Sequence, residues 1–287
     1  MLRKEEKQLV YARAFVPEHL HNYVHAISGL QPFLISDYLC YYRNGHLLFV
    51  GYPLANKPVS LSVAYNTATS RFHPDSAAII APEIWLSPDQ YQEDQSDMYY
   101  KLKLPLNAPD PKVSYMCRRA SRELTVDRVD FGRSHLKLLK KFISEREWTN
   151  NQKKLFRRIP AYLKTSRQAV LLEAKRGKHL IAYIIMDLGT ADYAFYMFNV
   201  RSKKQYVPGA SDLLFQEMVK LAEKHQKQVL NLGLGVNSGV RRFKEKWGAL
   251  AFCPYRSVVV GRPAASRFRK LQVWEMFLAS ATRNKKD

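Results

Sequence analysis

The residues from Asn199 to Gly248 combine cations, small residues and a helix start in the order that an anion-binding turn requires. A strand is expected to end near Asn199 and to run into Arg201-Ser202-Lys203-Lys204-Gln205, a cationic turn. Pro208-Gly209-Ala210-Ser211 follows, where a glycine can take positive φ and small neighbours let the backbone come close to a ligand. Ser211 or Asp212 is the expected N-cap of the next helix, whose apolar face would carry Leu214, Met218, Leu221, Ala222 and His225. Gln228 to Leu234 then reads as a buried strand. Strand, small-residue turn, helix and strand together aim free N–H groups and the positive end of a helix dipole at whatever lies above the turn. Gly209, Ala210 and Ser211 would supply N–H groups to a phosphate; a plain strand-to-helix turn is the alternative.

Composition narrows the partners. The chain of 287 residues is long enough for two domains or one large one, and its 46% hydrophobic content supports an ordinary packed core. There are 46 Lys and Arg against 25 Asp and Glu, a formal net charge of +21. That excess suits a polyanion, whether nucleic acid, an anionic membrane surface or a phosphate-rich small ligand, and general basicity or solubility is the plain alternative. Cys40, Cys117 and Cys253 show no CxxC or Cys/His ligand spacing, so no metal site is expected and the thiols read as reduced. No apolar run approaches the length of a membrane span, and MLRKEEKQLV has no apolar core of a signal peptide. A cytoplasmic location is expected, with Glu5 and Glu6 as part of a solvated charge cluster.

The elements that must position the turn follow from periodicity. Pro17–Ser28 reads as a helix, and Phe33–Tyr42 and His46–Tyr52 as a hairpin about Arg43-Asn44-Gly45. Pro58–Arg71 is open between strand and helix, Ser76–Ile84 is a buried strand, Ser87–Asp97 a loop and Met98–Leu104 a strand. Lys112–Leu124 is a basic helix and Thr125–Val129 a strand, before helices at Ser134–Trp148 and Gln152–Lys164. Strands are expected at Ala169–Ala174, Leu180–Leu188 and Tyr193–Asn199. After the turn, its helix and the buried strand come a short helix at Val240–Trp247, a strand at Leu250–Val260 and a basic tail helix at Ser266–Ala281. The tail's Phe268, Leu271, Trp274, Phe277 and Leu278 would form an apolar face, docked on the core or laid on a membrane.

This element order resembles the GNAT acyltransferase fold. That family carries Gln/Arg-x-x-Gly-x-Gly/Ala at the turn; here Gln205-Tyr206-Val207-Pro208-Gly209-Ala210 matches at Gln205 and Ala210, with Pro208 where the first Gly is expected. Lys112–Val126 looks like the Arg-rich helix opening the second half of Fem-type aminoacyltransferases, and Val240–Gly248 looks like their Phe-Lys segment. The Phe33–Leu54 hairpin is similar to the C-terminal domain of phosphatidylglycerol lysyltransferases. The resemblance implies an α+β, tandem GNAT-like fold of mixed, mostly antiparallel sheets flanked by helices. It divides the chain into halves at 1–111 and 112–287, the second carrying the donor turn.

Acyl transfer to an amine needs a held carbonyl, donors for the oxyanion and a route for the amine proton. The resemblance implies acyl-CoA or aminoacyl-tRNA as the donor, bound by Asn199, Val200, Gln205, Val207, Gly209, Ala210 and Ser211. Lys244 is the candidate for charge stabilisation, and Tyr193 and Tyr196 for proton relay. Glu173 and Asp187 are alternative bases. Asn231, Gly233, Asn237, Arg242 and Phe243 are candidates for the acceptor, an amine on a cell-envelope precursor or lipid. Each also has a plain reading: core tyrosines, a solvated lysine, a glycine-rich turn. The basic residues of 137–141 and 153–158, with Arg118, Arg119 and Arg122, would make one surface stripe for tRNA or an anionic membrane. A non-catalytic RNA- or membrane-binding module on a decayed GNAT fold is the opposing hypothesis.

Overall fold

Successive residues of a strand point to opposite faces, and the strand His179–Asp187 shows where those faces lead. Its Ala182, Ile184 and Met186 enter one apolar cluster, while Tyr183 and Ile185 enter another. Both faces of the sheet are therefore covered by helices. The computed structural model describes residues 1–107 and 109–261.

Helices α1 (Lys4–Arg13) and α2 (His21–Ser28) precede strands β1 (Gln31–Ile35), β2 (Tyr38–Arg43) and β3 (His46–Val50). Helix α3 (Leu61–Phe72) leads to β4 (Ser76–Ala81) and β5 (Gln92–Lys103). Then come α4 (Pro111–Ser121), β6 (Thr125–Val129), α5 (Arg133–Ser144), α6 (Asn150–Arg157) and α7 (Ile159–Thr165). A meander of β7 (Ala169–Arg176), β8 (His179–Asp187) and β9 (Tyr193–Arg201) follows. Helix α8 (Ala210–Lys224), β10 (Val229–Leu234), α9 (Ser238–Glu245) and β11 (Leu250–Val260) complete the described order.

The eleven strands form one mixed sheet in the order β1-β2-β3-β4-β11-β5-β10-β9-β8-β7-β6. One pattern occurs twice: an antiparallel pair, a helix, then a strand parallel to the second of the pair. It is β2–β3–α3–β4 in the first instance and β8–β9–α8–β10 in the second. The two instances trade their last strands. β5 lies beside β10, and β11 lies between β4 and β5. Strands from before and after residue 111 thus contribute to one continuous sheet. Helices α2, α5 and α6 contribute to the core on one face; α3 covers β2–β4 and α4 and α8 cover β7–β10 on the other.

Several expectations are corrected. The charges around Glu5 and Glu6 are largely exposed as expected, but they lie on a helix that was not expected, α1 at Lys4–Arg13, with Arg3 and Glu6 paired at 3.0 Å; only Val10 of this helix is buried, so its pattern is weak. Phe33–Tyr42 is two strands joined at Ser36-Asp37, not one. The Asn44-Gly45 turn is present, both residues at positive φ. Pro58–Arg71 resolves in favour of helix, capped by Ser60. The expected loop at Ser87–Asp97 instead enters β5, whose polar start pairs with β11. Gln152–Lys164 is broken at Arg158, ahead of Pro160. The tail helix falls outside the described residues.

Glu18 is buried on this frame. Its carboxylate accepts from the Tyr99 hydroxyl at 2.7 Å and its carbonyl accepts from the Tyr41 hydroxyl at 2.7 Å. Neighbouring His19 accepts the Phe15 N–H at Nδ1, so its Nε2–H donates to the Tyr52 carbonyl at 3.0 Å. Burial pushes the Glu18 carboxyl up to about 7 and His19 down to about 4. For Glu18 the folded state holds a proton that the unfolded chain has already released above its ordinary value of 4.5. Stability therefore falls as pH rises through the window from 4.5 to about 7. Glu18→Gln keeps an acceptor for Tyr99 without the charge. Denaturant midpoints measured from pH 5 to pH 8 should fall less steeply for the variant, with a relative gain on the order of 3 kcal/mol at pH 8.

Candidate functional site

The site begins where two parallel strands stop pairing. β9 and β10 are in register at Tyr193–Val229, Ala194–Leu230 and Phe195–Asn231, and no further. Yet β9 continues to Arg201 and β10 to Leu234, so the strands part beyond Asn231. Backbone groups cut off from a neighbour must find other partners, and side chains supply them. The Asn231 Oδ1 accepts the Gly233 N–H at 2.7 Å, while its Nδ2 donates to the Phe15 carbonyl. The Asp97 carboxylate accepts the N–H groups of Gly235 and Val236 at 3.2 and 2.8 Å. The Lys244 ammonium donates to the Leu234 carbonyl at 2.5 Å and lies over the Tyr100 ring. The first instance of the motif has no such gap. β3 and β4 pair along all five residues, Gly51 donates to the Ile80 carbonyl, and a Cβ on Gly51 would lie 2.7 Å from that of Ala81.

The parted strands open onto a cleft of about 1000 Å³. Tyr196, Asn199, Arg201 and Ser202 of β9 and its exit line the floor. From one face of the sheet come Val207, Gly209, Ala210, Ser211 and Asp212 at the start of α8, with Met116 of α4 behind them. From the other come Phe142, Arg146, Trp148, Gln152 and Phe156 of α5, α6 and their connection. Val236, Asn237, Val240 and Phe243 close the end around α9. Arg201 and Tyr206 are exposed at this mouth.

Gly209 is the N-cap of α8, replacing the expected Ser211 or Asp212. It sits at φ 82, and a Cβ there would fall 2.4 Å from the Met116 carbonyl oxygen, so α4 and α8 approach as closely as glycine permits. Within α8, Leu214, Met218 and Ala222 are buried as expected, whereas His225 is exposed beyond the last turn. Asp212 is buried in the first turn, accepting from Trp247 Nε1 at 3.1 Å and pairing with Lys246 at 2.6 Å. The Asn199 amide donates to Ser211 Oγ at 3.2 Å, and its buried Oδ1 has no hydrogen-bond partner. Burial holds the Tyr196 hydroxyl well above its ordinary range, so it stays protonated.

Of the residues expected at a site, the cleft gathers Tyr196, Asn199, Val207, Gly209, Ala210, Ser211, Asn237 and Phe243. Val200 is buried in the core on the α5–α6 face and does not line the cleft, Gln205 is half-buried in the turn and Arg242 is exposed on α9. Asn231, Gly233 and Lys244 hold the strand ends from behind. Tyr193 lies at the other end of β9, between Phe15 and Phe195. Glu173 is paired with His135 and Lys175, and Asp187 is bound by Tyr162, Ser166 and Gly189, both away from the cleft. The single basic stripe is not formed. α4 packs on α8 through Val113, Cys117 and Ala120, on the face opposite α5 and α6. Arg146 and Trp148 were missed because the connection after α5 reads as helix, its Arg-Glu-Trp run being the available signal; Phe156 lies in α6, which was read as helix without a role at the site.

No family model matches the sequence, and no curated protein matches it. Solved structures do. A conserved protein of Bacteroides thetaiotaomicron matches with a TM-score of 0.65 at 9% identity, covering 90% of this chain and 96% of that one. FemX matches at 0.60 and 12% identity, over 89% and 96% of the two chains. L-PGS from Bacillus licheniformis matches at 0.54 and 15% identity, over 91% and 92%. The chain has a GNAT-like α+β fold. The match extends across both instances of the motif, and the mixed, mostly antiparallel sheet flanked by helices is the architecture expected. Among the described residues no group of three or more His, Cys, Asp or Glu is placed to hold a metal ion. Among them, too, no helix is long and apolar enough to cross a membrane.

Lys244 is the group whose titration reports on this GNAT-like site. Burial lowers its ammonium from 10.5 to about 7, opposed by Asp97. Between those values the unfolded chain binds a proton that the folded chain has released, so this group's contribution to stability grows as pH rises from 7 towards 10.5. Wild type should therefore gain on Lys244→Met between pH 7 and pH 10 in urea midpoints. A variant that tracks wild type at a constant offset would remove the buried charge from the account.

Proposed function

We propose that the protein is an acyltransferase that passes an aminoacyl or acyl group to an amine across the cleft between β9 and β10. The observation that carries this reading is the strand gap itself, which exposes an unpaired edge of β9 beside the start of α8. Such an edge offers backbone hydrogen bonds to an extended donor, and the helix start favours negative charge. The chemistry falls to the cleft residues. Tyr196, kept protonated by burial, donates a hydrogen bond to the oxyanion, or passes its proton to the leaving oxygen or sulfur while taking one from the attacking amine, so that it ends neutral. Ser211 and Asn199 orient the carbonyl through their shared hydrogen bond. Lys244 acts behind the site, holding Leu234 in place.

Aminoacyl-tRNA is the donor this reading favours over acyl-CoA. Pro208 has no N–H where the GNAT turn offers one, and the Ala210 N–H is already bound to the Val207 carbonyl. The Asp212 carboxylate further occupies the first turn of α8, where a pyrophosphate would need positive potential. Exposed Lys203 and Lys204 at the mouth instead suit a phosphodiester backbone running outward. Binding of acetyl-CoA, aminoacyl-tRNA and uncharged tRNA should be compared at two salt concentrations. Charged tRNA should bind at least tenfold more tightly than uncharged tRNA, and Tyr196→Phe should lower transfer to an amine about 10²-fold without weakening that preference. Equal binding of every polyanion, with no transfer, would leave a non-catalytic RNA- or membrane-binding module.

A further inference from the structure

The cleft wall formed by α5, α6 and their connection has a chemistry of its own, distinct from the start of α8. Phe142, Trp148 and Phe156 form a three-ring group with centroids 5.0 to 5.7 Å apart. The Arg146 guanidinium stacks on the Phe142 ring, 3.7 Å from its centroid, and donates to the Phe142 carbonyl at 3.1 Å. Trp148 Nε1 donates to the same carbonyl at 3.4 Å, and its backbone N–H donates to the Arg146 carbonyl at 3.0 Å. The wall is therefore built before anything binds, which lowers the cost of ordering it around a ligand.

Arg201, at the end of β9, carries the second guanidinium on this side. Arg146 and Arg201 line the same cleft, and the Arg146 pKa is lowered by burial first and by the charge of Arg201 second. Neither is neutralised by an ion pair among the described residues. Glu145 is paired with Lys141 and Asp212 with Lys246, and Glu147 makes no ion pair with either arginine. Two guanidinium groups left facing one cleft are a receptor for an oxyanion, which both can hold through charge-assisted hydrogen bonds. On the floor between this wall and α8, the Asn199 amide is fixed by its bond to Ser211, leaving the buried Oδ1 as an unused acceptor. An amine or ammonium N–H is what such an oxygen lacks.

We propose that this wall is the acceptor subsite and that the acceptor is an amine carrying a carboxylate or phosphate on an apolar, preferably aromatic, body. The anion lies between Arg146 and Arg201, the apolar body lies on Trp148 and Phe156, and the amine reaches Asn199 Oδ1. The assignment rests on the acyltransferase reading for its direction, since the donor is taken to lie on the α8 side.

The test uses matched pairs that differ in the anion alone, measured by calorimetry on the full chain without donor. L-Phenylalanine is set against L-phenylalaninamide for a carboxylate, and tyramine phosphate against tyramine for a phosphate. In at least one pair the anionic member should bind tenfold or more tightly, and the pair that discriminates identifies the anion. Arg201→Gln, at an exposed position, should bring that ratio below threefold. Arg146→Lys, which keeps charge but loses the planar fork, should reduce it in part, and Trp148→Ala should weaken both members alike. Ratios within twofold in both pairs, or a ratio untouched by Arg201→Gln, would overturn the subsite. Discrimination without acyl transfer would instead sink the acyltransferase reading and leave the anion subsite standing. Transfer with no discrimination would do the reverse.

Discussion

A β-strand released from its neighbour has to hydrogen-bond to something, and here that requirement shapes the whole cleft. β10 leaves β9 after Asn231; Asn231 then accepts the Gly233 N–H, Lys244 donates to the Leu234 carbonyl, and Asp97 accepts the N–H groups of Gly235 and Val236 just past the strand. These three side chains come from three elements: β10 itself, β5 and α9. The opening is thereby an equilibrium feature of the fold, with no strained ladder waiting to close. The first instance of the same motif makes the contrast, because Gly51 lets β3 and β4 run on in contact and no room is left between them.

Holding the gap open from behind places charge in the interior. Lys244 is 2% exposed, and Asp97 spends its carboxylate oxygens on backbone N–H groups, not on the ammonium. A buried ammonium without a contacting carboxylate is costly, so the positions that define the cleft are not the positions that maximise stability. The front of the cleft follows the same division. Asp212 bonds to Trp247 and Lys246, fixing α8 against the residues after α9. Asn199 fixes β9 to the first turn of α8.

How much of this was legible before the structure depended on whether the signal was local. The meander β7–β9, the helix α8 and strands β10 and β11 lie where alternation and apolar spacing put them. The glycine at the α8 start was legible too, although its role as N-cap was not, because the clash with Met116 that requires it comes from a helix some ninety residues earlier. Helix α1 was lost because a helix with one buried residue has almost no periodicity to read. The first part of β5 was lost because it is polar, and its pairing partner, β11, is remote in sequence. Site residues divided the same way. Tyr196, Asn199 and Ser211 sit on contiguous local elements and line the cleft. Arg146 and Trp148 were hidden inside an apparent helix, and Lys244 was found by resemblance but faces the strand ends.

The exchange of last strands bears on how the chain can be made. β4, complete by Ala81, acquires its neighbour β11 only when Leu250–Val260 has emerged from the ribosome. At ordinary synthesis rates that delay is on the order of ten seconds or more. Throughout it, the β4 edge that will pair with β11 lacks its final partner. The early part of the nascent protein thus passes through a prolonged stage with an open sheet edge, the condition under which intermolecular strand pairing competes with folding. Neither stretch of sequence can reach its final sheet alone, so truncation anywhere between α4 and β11 should leave a product that depends on chaperones for its solubility.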